Sequence, residues 1–180
     1  MNIYFTASIV GKKHYLSSYE AIITELKKHS QTVISDHILL SSEEEINMET
    51  KEERRTFHSK LEHWITDADC VVVEASFPSI SVGYEISLAL SKGKAVLVLH
   101  TDTDPPSLLP ELNAERLVIE RYEVESLPTI ITDFLLYAKG SHESRFTFYL
   151  THKQSVKLTF LAQQSGIPKS AYLRNLIDNA

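Results

Sequence analysis

Two unbroken apolar runs, Cys70-Val-Val-Val-Glu74 and Ala95-Val-Leu-Val-Leu99, constrain this chain more than any other feature. A strand covered on one face only alternates apolar with polar residues, and neither run does. Both must lie in a sheet with layers on its two faces, the habit of parallel sheets. The surrounding pattern agrees. Asn2–Ala7 reads as a first strand and Thr32–Ser35 as a short second one. Leu117–Ile119 reads as the last. Between them, Tyr15–His29 places Leu16, Tyr19, Ile22, Ile23 and Leu26 at the spacing of one helical face. Helices are also expected over Lys51–Asp67, from near Val82 to Lys92, and over Val124–Tyr137. Phe57, Leu61, Trp64 and Ile65 turn inward on the first of these, and the acidic stretch around Ser41–Glu45 reads as a mobile loop. Strands alternating with helices predict an α/β fold, a doubly wound five-stranded parallel sheet.

Two common uses of such a sheet are excluded. No Gly-x-Gly-x-x-Gly follows the first strand and no Gly-x-x-x-x-Gly-Lys-Ser/Thr occurs anywhere; the chain holds only five glycines. A dinucleotide cofactor and a P-loop nucleotide are therefore not expected. The single Cys70 precludes an intrachain disulfide and, in an apolar strand, reads as a core residue. No Cys or His spacing suggests a metal, and no cofactor is expected. No apolar run approaches the roughly 18 residues of a membrane span, and no charged-then-apolar leader opens the sequence, so the expected location is the cytoplasm.

Chemistry concentrates in Ser79-Ile-Ser-Val-Gly-Tyr-Glu85. The segment follows the apolar strand ending at Glu74 and opens a helix. A lone carboxylate, Glu85, is thereby expected in the first turn of that helix, beyond the C-terminal end of a central strand. In open parallel sheets ligands bind there, where the strand order reverses. The loops after the first and third strands would meet at that point, bringing Ser8 and the Ser79–Glu85 segment together. A helix N-terminus favours an ionised Glu, and a fixed anion suits a reaction that passes through a cation. The residues alone leave a second reading open, in which Glu85 is a surface residue and the two serines cap helices.

Several stretches carry a family resemblance. They are Ile3-Tyr-Phe-Thr-Ala-Ser-Ile9, Trp64 with Ala68-Asp-Cys-Val-Val-Val-Glu74, Pro78-Ser79, and Val82-Gly-Tyr-Glu85. Together they resemble the 2′-deoxynucleoside 5′-phosphate N-hydrolases, which belong with the nucleoside 2-deoxyribosyltransferases. The likeness covers roughly residues 1–137 and implies a flavodoxin- or Rossmann-like fold. It implies that Glu85 attacks or stabilises the anomeric carbon while the base departs. It also implies that Tyr4 lines the sugar or base pocket, that Gly83 belongs to the binding motif, and that Ser8 and Ser79 hold a 5′-phosphate. Hydroxyls and helix N-terminal amides suit such a dianion. The family completes its phosphate pocket with a Ser from a second subunit, for which Ser107 is the candidate, so a homodimer or higher oligomer is implied. Two positions depart from the pattern: Val10 stands where the hydrolases carry Arg, and Leu61 where they carry the Asp that serves the departing base. Lys12 or Lys13 could replace the Arg. His58 and His63 could serve the leaving group, or could be solvated helix-face residues.

After a linker at 139–144 the pattern changes. Arg145-Phe-Thr-Phe-Tyr-Leu150 alternates strictly, and two short helices follow, the second opened by Pro168. The Arg-led strand, the interval from Leu150 to Ala162 and Gly166-Ile-Pro-Lys-Ser170 resemble ribbon-helix-helix DNA-binding dimers. The expected domains are thus 1–138 and 145–180. The second resemblance implies that Arg145, Thr147 and Tyr149 face the major groove of double-stranded DNA and that Lys169 and Ser170 hold a phosphate. An intertwined dimerisation arm that touches no DNA is the other reading. Residues 141–180 carry a net charge of +3 within a chain of −6, so the tail is basic on an acidic body. Two functions follow: an N-glycosidase, or a non-catalytic nucleotide-sensing regulator that binds DNA.

Overall fold

The protein is described from a computed structural model, which covers all residues except 31, 49, 103–108, 110–113, 141–149, 166–168 and 180. Two compact units divide the chain, Met1–Glu143 and Ser144–Ala180.

The first unit holds the five-stranded parallel sheet that the sequence predicts. Its strands are β1 (Asn2–Ala7), β2 (Thr32–Ile34), β3 (Cys70–Glu74), β4 (Ala95–His100) and β5 (Leu117–Arg121), in the order β2-β1-β3-β4-β5. The order reverses between β1 and β3, whose registers run from Ile3 opposite Cys70 to Ala7 opposite Glu74. The helices of this unit are α1 (Lys12–His29), α2 (Asp36–Leu39), α3 (Glu43–Met48), α4 (Lys51–Asp67), α5 (Ile80–Ser91) and α6 (Leu127–Ala138).

Alternation along the strands separates two cores. Ile3, Phe5, Cys70, Val72, Leu97 and Leu99 face α1 and α6, while Tyr4, Val71, Val73, Val96 and Val98 face α4 and α5. Each buried Val or Leu contributes about 1.5–3 kcal/mol, so both faces of β3 and β4 are committed to packing. Cys70 is fully buried, and burial pushes its thiol up to about 12, which suits a core residue.

Several boundaries differ from expectation. The region read as a mobile loop contains α2 and the short helix α3. Asp36 and Glu43–Glu45 occupy first helical turns, where the helix dipole favours acids. A polar composition therefore concealed helices too short to show a periodic stripe. Helix α1 starts at Lys12, and Leu16 remains exposed. Helix α5 starts at Ile80, because Ser79 caps it by accepting from the Val82 amide at 3.4 Å. Glu85 therefore stands in the second helical turn, not the first. Helix α4 has the expected bounds, opened by a reciprocal capping box between Thr50 and Glu53.

In the second unit, α7 (His152–Gln164) begins with a capping box between Thr151 and Gln154, and α8 spans Lys169–Asp178. The strand expected over residues 145–150 lies outside the described residues except for Leu150, which is in neither helix nor strand. Among the described residues no helix is long and apolar enough to cross a membrane.

Candidate active site

Glu85 is 7% exposed and faces the α4/α5 side of the sheet beside the C-terminal half of β1. Tyr4, on β1, donates its hydroxyl proton to Glu85 Oε2 at 2.9 Å. Thr6 lies two residues along the same strand face. Its buried hydroxyl is near enough to favour the charged carboxylate, though it makes no hydrogen bond of ordinary geometry. Burial outweighs both hydroxyls and raises the Glu85 carboxyl to about 7. Tyr4 in turn is pushed far up, first by burial and then by the adjacent carboxylate, so it stays protonated.

The structure adds a residue for which the sequence offered no signal. His37, on α2, stacks on Tyr4 with ring centroids 5.0 Å apart and planes 12° from parallel. Trp64 and Phe57 of α4 lie 5.2 and 6.3 Å from the His37 ring. His37 Nε2 is 2.9 Å from the Tyr4 oxygen. The single Tyr4 proton goes to Glu85, so with Glu85 ionised Nε2 must be the donor to Tyr4. Nδ1 is buried and has no hydrogen-bond partner among the described residues. Burial depresses the imidazole to about 4, so it is neutral at neutral pH.

Lys12 fixes this helix in place. Its ammonium donates to the carbonyls of Ile38 at 3.1 Å, Leu39 at 2.9 Å and Ser41. A cation at a helix C-terminus is favourable. Lys12 is thereby committed to holding the element that carries His37 and does not take the place of the absent Arg. Leu61 is 4% exposed within the apolar cluster around Tyr4, Ile65 and Val82. A carboxylate there would have to be buried among apolar side chains.

The remaining sequence candidates fall in different places. Ser8 is buried after β1, where its hydroxyl accepts from the Gly11 amide at 3.1 Å and its carbonyl accepts from Tyr19 at 3.0 Å. Ser79 is partly exposed at the start of α5. Both side chains act as local acceptors, and each hydroxyl keeps a proton to donate. The loops bearing them pack closely: a Cβ at Gly11 would stand 2.5 Å from the Phe77 Cβ. Gly83 is exposed, and a Cβ there would meet nothing within 4 Å. Open space thus lies one turn from Ser79 on the helix that carries Glu85. His58 and His63 are exposed, as a solvated helix face requires; His58 is 2.6 Å from the Tyr84 hydroxyl and His63 pairs with Asp67 at 3.2 Å. Ser107, Arg145, Thr147 and Tyr149 lie outside the described residues, as does the side chain of Ser170. Lys169 is the exposed first residue of α8. Among the described residues no group of three or more His, Cys, Asp or Glu could hold a metal.

The arrangement therefore offers a carboxylate held on one oxygen, a hydroxyl and a neutral imidazole, walled by aromatic rings. Residues 3–132 match the family described as nucleoside 2-deoxyribosyltransferase. A 5-hydroxymethyl-dUMP N-hydrolase of Danio rerio is 32% identical over 99 residues, covering 55% of this chain and 68% of that protein. The Tetraodon nigroviridis protein of the same name is 25% identical over 138 residues, covering 74% and 96%. Among solved structures, the CMP N-glycosidase BcmB of Clostridium botulinum shares the fold, with a TM-score of 0.56 at 14% identity. That likeness covers 74% of this chain and 99% of the other.

Proposed function

This chain belongs to the nucleoside 2-deoxyribosyltransferase family, and from that premise we propose that it cleaves the N-glycosidic bond of a 2′-deoxynucleoside 5′-monophosphate. Relatives named as N-hydrolases of a deoxynucleotide support the substrate class. The observation that carries the chemistry is Glu85: buried, at the sheet's switch point, and held on Oε2 by the Tyr4 hydroxyl. In this reading its carboxylate bonds to, or stabilises, the anomeric carbon as the base leaves, as the nucleophile does in retaining glycosidases. Water, or a second base, then takes the sugar. Ser8 and Ser79 donate to the 5′-phosphate, next to the N-terminus of α5. No cofactor is invoked.

The test is release of free base from a panel of deoxy- and ribonucleosides and their 5′-monophosphates, with Glu85→Gln alongside. Release by the parent and none by the variant supports the reading. No release from any member, with or without an acceptor base, overturns it.

A second reading concerns residues 144–180. Val156 and Phe160 stand one turn apart on α7 and are 54% and 62% exposed, and Leu176 and Ile177 on α8 are also exposed. Apolar faces of that kind favour a second copy of the chain, as a ribbon-helix-helix dimer requires. Its DNA contacts would be Arg145, Thr147, Tyr149, Lys169 and Ser170. Binding to a short duplex that weakens steeply with salt and loses sequence preference in Arg145→Ala would support the regulator. A dimer indifferent to DNA at low salt would leave the dimerisation arm.

A further inference from the structure

We infer that Glu85, Tyr4 and His37 form a proton relay whose outlet is His37 Nδ1, so that His37 protonates the departing base with the proton that Glu85 gives up. The inference rests on the reading of Glu85 above.

The geometry is a chain of two short contacts. Glu85 Oε2 and His37 Nε2 each lie 2.9 Å from the one Tyr4 oxygen. That keeps Oε2 and Nε2 within about 6 Å of each other, with Nδ1 across the imidazole ring from both. The stack on Tyr4 and the Trp64 ring fix the imidazole plane. Nδ1 is the one end of the chain that is buried and unbonded among the described residues.

The chain has two self-consistent settings. With Glu85 ionised, Tyr4 donates to Oε2, Nε2–H donates to Tyr4, and Nδ1 is a bare acceptor. With Glu85 protonated, Oε2–H donates to Tyr4, Tyr4 donates to Nε2, and the imidazole proton sits on Nδ1. The two settings differ by one proton while His37 remains neutral in both. Substrate cleavage converts the second into the first. The C1′–N bond breaks with its electron pair going to the base nitrogen, and the base takes the Nδ1 proton. The Tyr4 proton moves to Nε2, the Oε2 proton moves to Tyr4, and the newly ionised carboxylate bonds C1′. Hydrolysis reverses the chain. Water attacks C1′ and gives its proton to Nδ1, Nε2–H returns to Tyr4, and the Tyr4 proton returns to Glu85 as the ester bond breaks. One proton thus makes the leaving group neutral and creates the nucleophile.

Two further observations favour this route. Leu61 is buried among apolar side chains and carries no proton. A buried imidazole with its equilibrium near 4 cannot store a proton at neutral pH, whereas Glu85, near 7, can. The titratable groups facing the chain are Tyr4 from β1, Asp36 beside His37 on α2, and Glu85 on α5. From α4 come Phe57 and Trp64, which are uncharged, while His58 is turned to Tyr84 on the exposed surface.

Nitrogen NMR of the ligand-free protein reads the relay without turnover. His37 should carry its proton on Nδ1 at pH 5.5 and on Nε2 at pH 8.5, and Tyr4→Phe should abolish the exchange. A tautomer unchanged across the titration overturns the relay. In kinetics, His37→Phe and Tyr4→Phe should each slow base release about 10²-fold or more, with the double variant no slower than either. Both should recover on 2-deoxyribose 5-phosphate carrying a nitrophenolate, a leaving group that needs no proton. Equal losses on both leaving groups would mean a structural role and overturn the inference. A parent that releases no base overturns the glycosidase reading and the role of His37 together, whereas an active parent with a fixed tautomer overturns the relay alone.

Discussion

Two buried carboxylates lie at the C-terminal end of this sheet, one on each face, and they are held in opposite ways. Glu85, on α5, receives one hydrogen bond among the described residues, from Tyr4. Glu74, the last residue of β3, faces the α1/α6 side with no exposure at all. Its Oε1 accepts from the Ser76 amide at 3.3 Å, the Ser76 hydroxyl and the Tyr122 hydroxyl at 3.2 Å. Ser76 in turn accepts from the Thr101 amide at 3.0 Å, which ties the β3 exit to the β4 exit. Burial raises both carboxyls. The difference lies in the number of donors that each one satisfies. Removing Glu74 orphans a network, whereas removing Glu85 orphans one hydroxyl. In the proposed reading Glu85, bound that lightly, serves the chemistry, and Glu74, bound that heavily, serves the structure.

The largest effect should separate them by activity. Glu85→Gln is expected to lower base release by about 10⁴-fold or more, while Glu74→Gln, which preserves the acceptor at Oε1, should stay within about threefold. Chromatographic assay of free base decides this, and comparable losses in both variants would erase the distinction.

Stability should then rank the pair the other way. Glu74→Ala leaves the Ser76 amide and the Tyr122 hydroxyl unpaired and should cost about 2–4 kcal/mol, measured by urea unfolding. Glu85→Ala should cost less, because it leaves one hydroxyl unpaired in place of a network. A reversed order would show that Glu85 is the structural member.

The pH dependence sharpens the contrast further. Glu85 titrates near 7 when folded against 4.5 for a free side chain, so the native state holds the proton more tightly. Its contribution is full below about 4.5 and is lost as pH rises through 7, amounting to about 3 kcal/mol at most. His37 acts in the opposite sense: depressed from 6.5 to about 4, it lowers stability as pH falls through that window. The two offset each other between about 4.5 and 6.5. Subtracting the Glu85→Gln urea profile from that of the parent should isolate a fall with rising pH. A flat difference would mean that Glu85 does not titrate there.

The smallest expected effect tests the loop between the carboxylates. Gly11→Ala forces a methyl against Phe77 and the Tyr19 hydroxyl and should destabilise by about 1–3 kcal/mol. If Ser8 serves the phosphate, the same variant should raise KM for 5′-monophosphates more than for nucleosides. Unaltered melting and kinetics would show that the loop yields freely.

The sheet was legible because strand and helix periods are local: Cys70–Glu74 and Lys51–Asp67 have the bounds that their sequences suggest. The parity of β1 likewise places Tyr4 on the face that α5 covers. Legibility failed where elements are shorter than their own period. Four residues of α2 cannot display a stripe, so His37 passed as part of a polar connection. Lys12, similarly, looked like a free cation until the carbonyls of α2 were in place to receive it.

The sequence by itself determined the layered sheet, its switch point, and the arrival there of Ser8, Ser79 and Glu85, because alternation and apolar runs encode burial residue by residue. Tertiary structure alone decided the company that Glu85 keeps. Tyr4 lies 81 residues from Glu85 and 33 from His37, and no local rule links positions so far apart. Their hydrogen bonds, and the burial that moves the carboxyl to about 7 and the imidazole to about 4, exist only once β1, α2, α4 and α5 have closed around them and excluded water.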